Sequence, residues 1–230
     1  MEKIRYKLGF PNMLVVDCVG KSGGLALLWE DDMGVEIQNF NSRHIHAKII
    51  STPNGGRWNL TGFYGHPDAS KRKEAWSLLR HLVSLDSGPW MCMGDFNEVL
   101  YHSEKCGGNV RQQGLIDDFH STLAFCDLMD RGFRGPKFTW TNGREGEDFI
   151  QERLDRVVAN EGWCEIFPKA DILVERAMCS DHLPIVVTLY DVMTRGRGGK
   201  NFRHEAFWVL DETYHEEVKE AWKSRNTRTD

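Results

Sequence analysis

The stretch WMCMGDFN at residues 90–97 is an apolar run that stops at two polar side chains, Asp95 and Asn97. Such a run is typical of a strand that is entirely buried. Because a buried carboxylate without a partner is costly, Asp95 must cap a helix, sit in a turn, or face a ligand at the carboxyl end of the sheet. This stretch alone does not choose among the three.

Strand patterns fill the first third of the chain. Residues 13–19 and 23–29 predict two strands joined by a glycine-rich turn. The stretches VEIQNFN, HIHAKIIS and WNLTGFYGHP follow at hairpin spacing, with PNGG as the turn before the last of them. The sequence therefore predicts an antiparallel β region.

Two helices are predicted, over residues 70–85 and about 115–125, since each stretch has one apolar and one polar side. The apolar stripes comprise Trp76, Leu79, Leu82 and Val83 in the first helix and Leu115, Ile116, Phe119 and Leu123 in the second. Residues 149–160 are compatible with a strand or a helix, since their apolar residues fit neither period cleanly, whereas ADILVERAM and SDHLPIVVTLYD are predicted to be late strands. This mixture, with several hairpins, predicts an α/β (α+β) sandwich.

Composition and charge exclude several classes of protein. The chain has 230 residues, is 40% hydrophobic and 27% charged, and carries a net charge of −5, which argues against coating nucleic acid through bulk electrostatics. Its apolar runs are shorter than the roughly 20 residues of a membrane span, and its N-terminus lacks a signal-peptide core, so an intracellular protein is expected. Six single cysteines without a C-x-x-C pair favour neither structural zinc nor a disulfide framework.

Four stretches place reactive side chains just outside apolar runs. They are GFYGHP with Tyr64, GDFN with Asp95 and Asn97, ERLDR with Asp155, and CSDHLPI with Ser180, Asp181 and His182. Each has an alternative reading: Tyr64 covers the edge of the core, Asp95 caps a turn, and Asp155 forms a surface ion pair with its arginine neighbours. Trp140 in FTWTN is interpreted as a packed core residue rather than a DNA contact.

Taken together and in this order, GDFNEVL, KFTWTN, ERLDRVVAN with the following Trp163, and SDHLPIVV resemble the endonuclease/exonuclease/phosphatase superfamily. The greatest similarity is to the apurinic-type endonuclease domain of plant non-LTR (LINE-type) retrotransposons, from about Leu8 to Trp222. The resemblance implies a four-layer sandwich of two face-to-face mixed β-sheets with helices outside. It also implies a metal-dependent phosphodiesterase site, with DNA as substrate and Mg²⁺ or Mn²⁺ as cofactor.

The resemblance implies a role for each candidate residue. Asp95 would transfer a proton or lie near the metal, and Asn97 would orient the phosphate. His182, hydrogen-bonded to Asp155, would contact the phosphate. Asp181 would lie at the metal, and Tyr64 would donate to a phosphate oxygen. Hard carboxylate and amide oxygens suit Mg²⁺.

The match to the superfamily lacks its first two strands, which carry an Asn and a metal-binding Glu. The chain is therefore expected to be an N-terminally incomplete domain over residues 1–191, possessing low or no nicking activity. A linker at 192–200 and a helical segment at 201–230 would lead toward a reverse transcriptase. The alternatives are a non-catalytic binding remnant or a phosphatase of the same fold. Neither a membrane nor an obligate protein partner is expected, and the nucleus is the expected compartment.

Overall fold

The computed structural model describes residues 1–20, 22–50, 56–176 and 180–189. The four α-helices in this part of the chain are α1 (Glu2–Leu8), α2 (Arg72–Leu85), α3 (Gln113–Phe125) and α4 (Glu161–Ile166). The first six strands are β1 (Asn12–Val19), β2 (Ser22–Trp29), β3 (Val35–Asn41), β4 (His44–Ile49), β5 (Trp58–Tyr64) and β6 (Trp90–Asp95). The later strands are β7 (Lys105–Cys106), β8 (Met129–Asp130), β9 (Trp140–Thr141), β10 (Gln151–Glu152), β11 (Asp155–Ala159), β12 (Asp171–Val174) and β13 (Ile185–Thr188).

A six-stranded mixed sheet forms the centre, in the order β3-β4-β5-β6-β11-β8. The predicted hairpin region forms its antiparallel part, β3-β4-β5. Helix α2 then crosses over so that β6 lies parallel to β5, and β11 pairs antiparallel with β6. The strand with WMCMGD is consequently central, and its first three residues are buried, as its apolar run predicts.

Helices α2 and α3 pack on one face of this sheet. Their predicted stripes bury Trp76, Leu79, Leu82, Phe119 and Leu123 against residues of the sheet. The ring of Trp76 stacks on that of Phe119 with 4.7 Å between centroids, which joins the two helices. Ile116 is also buried, but it belongs to a smaller cluster with Val99 and Leu154.

Two separate hairpins, β1-β2 and β12-β13, cover the opposite face of the central sheet. Leu27 of β2 and Ile172, Ile185 and Val187 of β12 and β13 pack into one apolar cluster with Trp58, Met91 and Val157 of the central sheet. Helix α4 adds Trp163 to this cluster, and the side chain of Asn160 caps the helix by accepting from the backbone N–H of Trp163 at 3.1 Å. The result is an α/β sandwich, as predicted.

Several predicted segments lie outside the residues that the structure describes. The PNGG turn lies mostly in residues 51–55, and the predicted linker at 192–200 and segment at 201–230 also lie outside the described ranges. Residues 149–160, which fitted neither period, form β10 and β11. Five cysteines in the described ranges are free thiols. No helix of the described chain is long and apolar enough to cross a membrane.

Candidate active site

Strand register places three of the predicted site residues side by side. Tyr64 at the end of β5 is the register partner of Asp95 at the end of β6, and Asp95 is in turn the partner of Asp155 at the start of β11. Because β5 and β6 are parallel and β11 is antiparallel to them, two strand ends and one strand start meet at the same edge of the sheet. Tyr64, Asp95 and Asp155 are each half-buried there.

The GDFN turn directs Asn97 back onto Asp95. The backbone N–H of Asn97 donates to Asp95 Oδ1 at 2.8 Å, and its side-chain Nδ2 donates to Asp95 Oδ2 at 2.8 Å and to the carbonyl of Gly65 at 3.2 Å. Asn97 has a φ of 56°, a left-handed conformation that asparagine tolerates better than most residues. Both side-chain N–H groups of Asn97 are thus engaged by the protein, so Asn97 must release one of them to donate to a phosphate.

Gly65 allows this turn to approach β5 closely. Its backbone N–H donates to the Asp95 carbonyl at 2.6 Å, and a Cβ at position 65 would lie 2.0 Å from the carbonyl oxygen of Phe96. A gap this short is a hard clash with backbone, which the chain can relieve only by moving the GDFN turn. The absence of a side chain at Gly65 is therefore a requirement for the position of Asp95 and Asn97.

The substitution Gly65→Ala is expected to destabilise the chain by about 2–4 kcal/mol, because overpacking and backbone shifts typically cost 1–3 kcal/mol or more. Urea unfolding followed by circular dichroism measures this change. Gly62→Ala in β5 is the matched control, since a Cβ there meets nothing within 4 Å. Equal stabilities of the two variants would contradict the close approach.

His182 completes the group by contacting Asp155. The ring Nδ1 of His182 lies 2.8 Å from Asp155 Oδ2, and the side chains are 32% and 14% exposed, respectively. The buried Thr139 hydroxyl accepts from the backbone N–H groups of Leu154 at 3.0 Å and Asp155 at 2.9 Å, which fixes the start of β11. The Asp155 carboxylate therefore sets the orientation of the His182 ring.

Burial and the charges around the site shift two of its pKa values upward. Burial, reinforced by the nearby charge of Asp155, raises the pKa of Asp95 to about 6 against the opposing effects of Asn97, His182 and Arg72. Burial lowers the pKa of His182, but the hydrogen bond and charge of Asp155, together with Asp95 and Asp181, outweigh it and raise that pKa. A protonated imidazole beside carboxylates is suited to contact an anionic oxygen.

Asp181 directly precedes His182 in the chain and is exposed. Its backbone carbonyl accepts from Thr141 at 3.0 Å, and its Oδ2 accepts from the indole Nε1 of Trp140 at 3.1 Å. The structure therefore brings together Tyr64, Asp95, Asn97, Asp155, Asp181 and His182, which the sequence separates widely.

The arginines flanking Asp155 do not pair with it. Arg153 and Arg156 instead contact Glu104 and Asp130, with Arg156 Nη2 at 2.8 Å from Glu104 Oε2. Arg156 follows Asp155 directly in β11 and therefore points to the opposite face of the sheet, while Arg153 is engaged by Glu104 and Asp130. The surface ion-pair reading of Asp155 is thus not what the structure shows.

A second buried ionic group supports the GDFN turn. Glu98, which is 0% exposed, contacts the guanidinium groups of Arg72 and Arg111, and its Oε1 also accepts from the backbone N–H of Val99 at 2.9 Å. Arg111 also contacts Glu152, which in turn contacts Lys105. Glu98 is therefore fully engaged as a structural carboxylate.

Sequence reasoning missed one cation at the site, Arg43. Its guanidinium lies over the ring of Tyr64 at 5.5 Å from the centroid, and Nη1 contacts the Gly65 carbonyl at 3.4 Å. Arg43 stands in the turn between β3 and β4, next to no motif. The only available signal was its place one residue before a strand that pairs with β5, the strand of Tyr64.

The site's side chains can be compared with those that usually bind a divalent metal ion. No three His, Cys, Asp or Glu side chains in the described ranges are placed to hold a metal ion together. Mg²⁺ nevertheless commonly uses only one or two carboxylates, with water and substrate phosphate as the remaining ligands. Each Asp95 oxygen accepts one hydrogen bond from Asn97 and keeps a further lone pair. The carboxylate oxygens of Asp95 and Asp181 are the type of ligand that suits such an ion.

Fold and site define a class: α/β sandwiches with acidic residues, an asparagine and a histidine where strand ends meet. The sequence model of the Endonuclease/Exonuclease/phosphatase family matches residues 7–182, and the chain belongs to that family. No curated protein sequence matches the chain.

Solved structures with the same fold include three distant relatives. The endonuclease domain of TRAS1, a telomere-specific non-LTR retrotransposon, has a TM-score of 0.62 and 16% identity over 77% of this chain and 79% of that chain. The AP endonuclease LMAP from Leishmania major has a TM-score of 0.59 and 15% identity over 76% of this chain and 68% of that one. A beta toxin from Staphylococcus aureus has a TM-score of 0.56 and 15% identity over 82% of both chains.

Proposed function

We propose that the chain carries the phosphodiester-hydrolysing site of a DNA-nicking endonuclease, of the kind found in non-LTR retrotransposons. The observation that supports this most is the contact between His182 and Asp155 beside Asp95 at one edge of the sheet. Two of the solved structures with a similar fold, the TRAS1 endonuclease domain and an AP endonuclease, are nucleases, which is consistent with DNA as the substrate. The motifs GDFN, ERLDR and SDH favour the same group.

In this proposal the chain's own residues supply orientation, charge and proton transfer. His182 contacts a phosphate oxygen through Nε2 and stabilises the charge that develops on it, while Asp155 fixes the ring. Asp95, whose pKa burial raises to about 6, stands where it can take a proton from the attacking water. Tyr64 donates to a second phosphate oxygen, and Asn97 keeps Asp95 in place.

Asp95 and Asp181 would hold the divalent ion, which supplies Lewis-acid neutralisation of the phosphate when it is bound. Two carboxylates make a sparse ligand set, and Mg²⁺ dehydrates reluctantly. Ion affinity is therefore expected to be weak, in the millimolar range, and the rate of nicking low. Carboxylate and water oxygens suit Mn²⁺ as well as Mg²⁺, so Mn²⁺ tests the same ligands.

Arg43 adds a cation on the Tyr64 side of the site, where it fits a phosphate of the substrate backbone. The substitution Arg43→Ala is expected to lower the rate of nicking about tenfold, mainly through weaker DNA binding, because phosphate contacts are electrostatic and salt-dependent. Plasmid nicking and DNA affinity at two salt concentrations measure this effect. The matched control is Arg80→Ala, which removes a guanidinium 5.1 Å from the Phe125 ring. Equal losses in both variants would contradict a role for Arg43 at the site.

A non-catalytic binding module is the second candidate, favoured by the lack of three clustered metal ligands in the described ranges. Incubating the chain with supercoiled plasmid over a series of Mg²⁺ and Mn²⁺ concentrations separates the two. The endonuclease proposal expects relaxed circles whose yield rises with ion concentration into the millimolar range. DNA binding with no relaxed product at any ion concentration would favour the binding module. Release of phosphate from a phosphomonoester, with intact plasmid, would instead indicate a phosphatase.

A further inference from the structure

Trp140 contacts the site in a way that core packing does not require. Its indole Nε1 donates to Asp181 Oδ2 at 3.1 Å, and its backbone forms an antiparallel bridge with His182. The neighbouring backbone bonds, from Thr141 N–H to the Asp181 carbonyl at 3.0 Å and from Leu183 N–H to the Thr139 carbonyl at 2.8 Å, hold the two segments in register. Residues 139–141 and 181–183 thus form one short ladder.

The indole ring itself is fixed in place. Trp140 is half-buried and packs against Val99, Ile116 and Leu154, a cluster that joins the GDFN loop, helix α3 and the start of β11. An indole N–H is a donor only, and its direction follows from the ring. A carboxylate that accepts from it is held at one orientation.

Asp181 is exposed, so a hydrogen-bond donor is needed to hold its carboxylate in one orientation. An exposed carboxylate turns freely about its side-chain bonds, so an ion that uses it must first order it. The bond from Trp140 engages Oδ2, while no residue of the described chain donates to Oδ1. Oδ1 is therefore the oxygen left for a cation.

We propose that Trp140 is a positioning residue whose indole N–H fixes the Asp181 carboxylate so that Oδ1 faces the site. The proposal rests on the proposed function for its consequence, namely that an oriented Oδ1 is the Asp181 ligand to the divalent ion. Since a typical intramolecular hydrogen bond contributes a net of about 0.5–1.5 kcal/mol and this one lies at the exposed carboxylate of Asp181, its loss is expected to lower the ion affinity two- to tenfold. Trp140 acts through Asp181 and touches neither substrate nor ion.

Two measurements on the full chain test the proposal. The first is the NMR resonance of the Trp140 indole N–H in chain labelled with ¹⁵N-tryptophan, assigned by its loss in Trp140→Phe. Asp181→Ala is expected to shift this resonance and to increase its exchange with water. If Asp181→Ala leaves this resonance unchanged, the proposal is overturned, regardless of the ion affinity of the chain.

The second measurement is Mn²⁺ affinity, followed by water-proton relaxation. Trp140→Phe keeps an aromatic ring in the cluster but removes the indole donor, and we expect it to bind Mn²⁺ two- to tenfold more weakly than wild type. This difference should vanish when Trp140→Phe and wild type are compared in chains that also carry Asp181→Ala. Trp58→Phe is the matched control, because the Trp58 indole Nε1 is buried and has no hydrogen-bond partner among the residues that the structure describes. If Trp140→Phe lowers the Mn²⁺ affinity by the same factor in a chain that carries Asp181→Ala, the role of Trp140 is purely structural and the proposal is overturned.

The two measurements separate failure of the proposal from failure of the proposed function. If the indole resonance depends on Asp181 but the chain binds no Mn²⁺ in any form, Trp140 orients Asp181 as proposed while Asp181 is not a metal ligand. If Mn²⁺ binds and Asp181→Ala weakens it, but the resonance does not respond to Asp181, the metal role stands and the positioning role falls.

Discussion

Asp155→Asn is expected to reduce plasmid nicking by about 100-fold or more. The substitution keeps the size of the side chain and can keep a contact to His182 Nδ1, which lies 2.8 Å from Asp155 Oδ2 in the native chain. It removes the negative charge that raises the pKa of His182. Without that charge a larger fraction of the imidazole is neutral and the ring is less well oriented, and positioned proton donors contribute roughly 10²–10⁴ in rate.

The change at Asp155 is also visible without catalysis. In the metal-free chain, the NMR titration of the His182 ring should show a lower pKa in Asp155→Asn than in wild type, because the hydrogen bond and charge of Asp155 raise it. Asp117→Asn on the exposed side of α3 is the control and should leave both nicking and this titration unchanged. An unchanged His182 titration in Asp155→Asn would show that the contact does not govern the ring.

The second large effect is on stability, from Glu104→Gln. Glu104 is 4% exposed, contacts both Arg153 and Arg156, and accepts from the Leu100 N–H at 2.7 Å. Removing its charge leaves two buried guanidinium groups with Asp130 as their only remaining carboxylate in the described chain. Breaking a buried ion pair from one side costs about 3–5 kcal/mol, so the free energy of unfolding should fall by that amount.

Urea unfolding measures the effect of Glu104→Gln. The control is Asp171→Asn, which makes the same carboxylate-to-amide change in the surface pair with Arg134, whose side chains are 40% and 68% exposed. An exposed pair contributes about 1 kcal/mol or less. Comparable losses in the two variants would mean that the Glu104 pair is no more important than a surface contact.

Local patterns predicted the main strands and helices, because each spans enough residues to show a period. The 14-residue α2 and the 13-residue α3 carry clear apolar stripes, and β4 and β5 flank a turn signal. The strands β7, β9 and β10 have two residues each, which is too short for any period. They exist because backbone partners far apart in the sequence meet, and a single sequence does not show that.

The candidate residues Tyr64, Asp95 and Asp155 were predictable because their motifs resemble those of a known superfamily, and the structure places them in register on three adjacent strands. The partners of these residues were not predictable. Arg43 reaches Tyr64 only through the pairing of β4 with β5, and Arg156 meets a carboxylate 52 residues away. Trp140 read as core because an aromatic residue in an apolar context usually is, and its bond to Asp181 depends on the ladder with residues 181–183.

The most direct test of the account is Mn²⁺-dependent nicking of supercoiled plasmid by wild type, His182→Ala and His102→Ala. His102 is exposed and contacts Gln113 of α3 at 2.8 Å. His102→Ala therefore removes an imidazole, as His182→Ala does, but from outside the candidate site. If one site formed by Asp95, Asp155, Asp181 and His182 hydrolyses the phosphodiester, wild type and His102→Ala nick at equal, slow, ion-dependent rates, and His182→Ala does not nick. Equal nicking by wild type and His182→Ala would contradict the account.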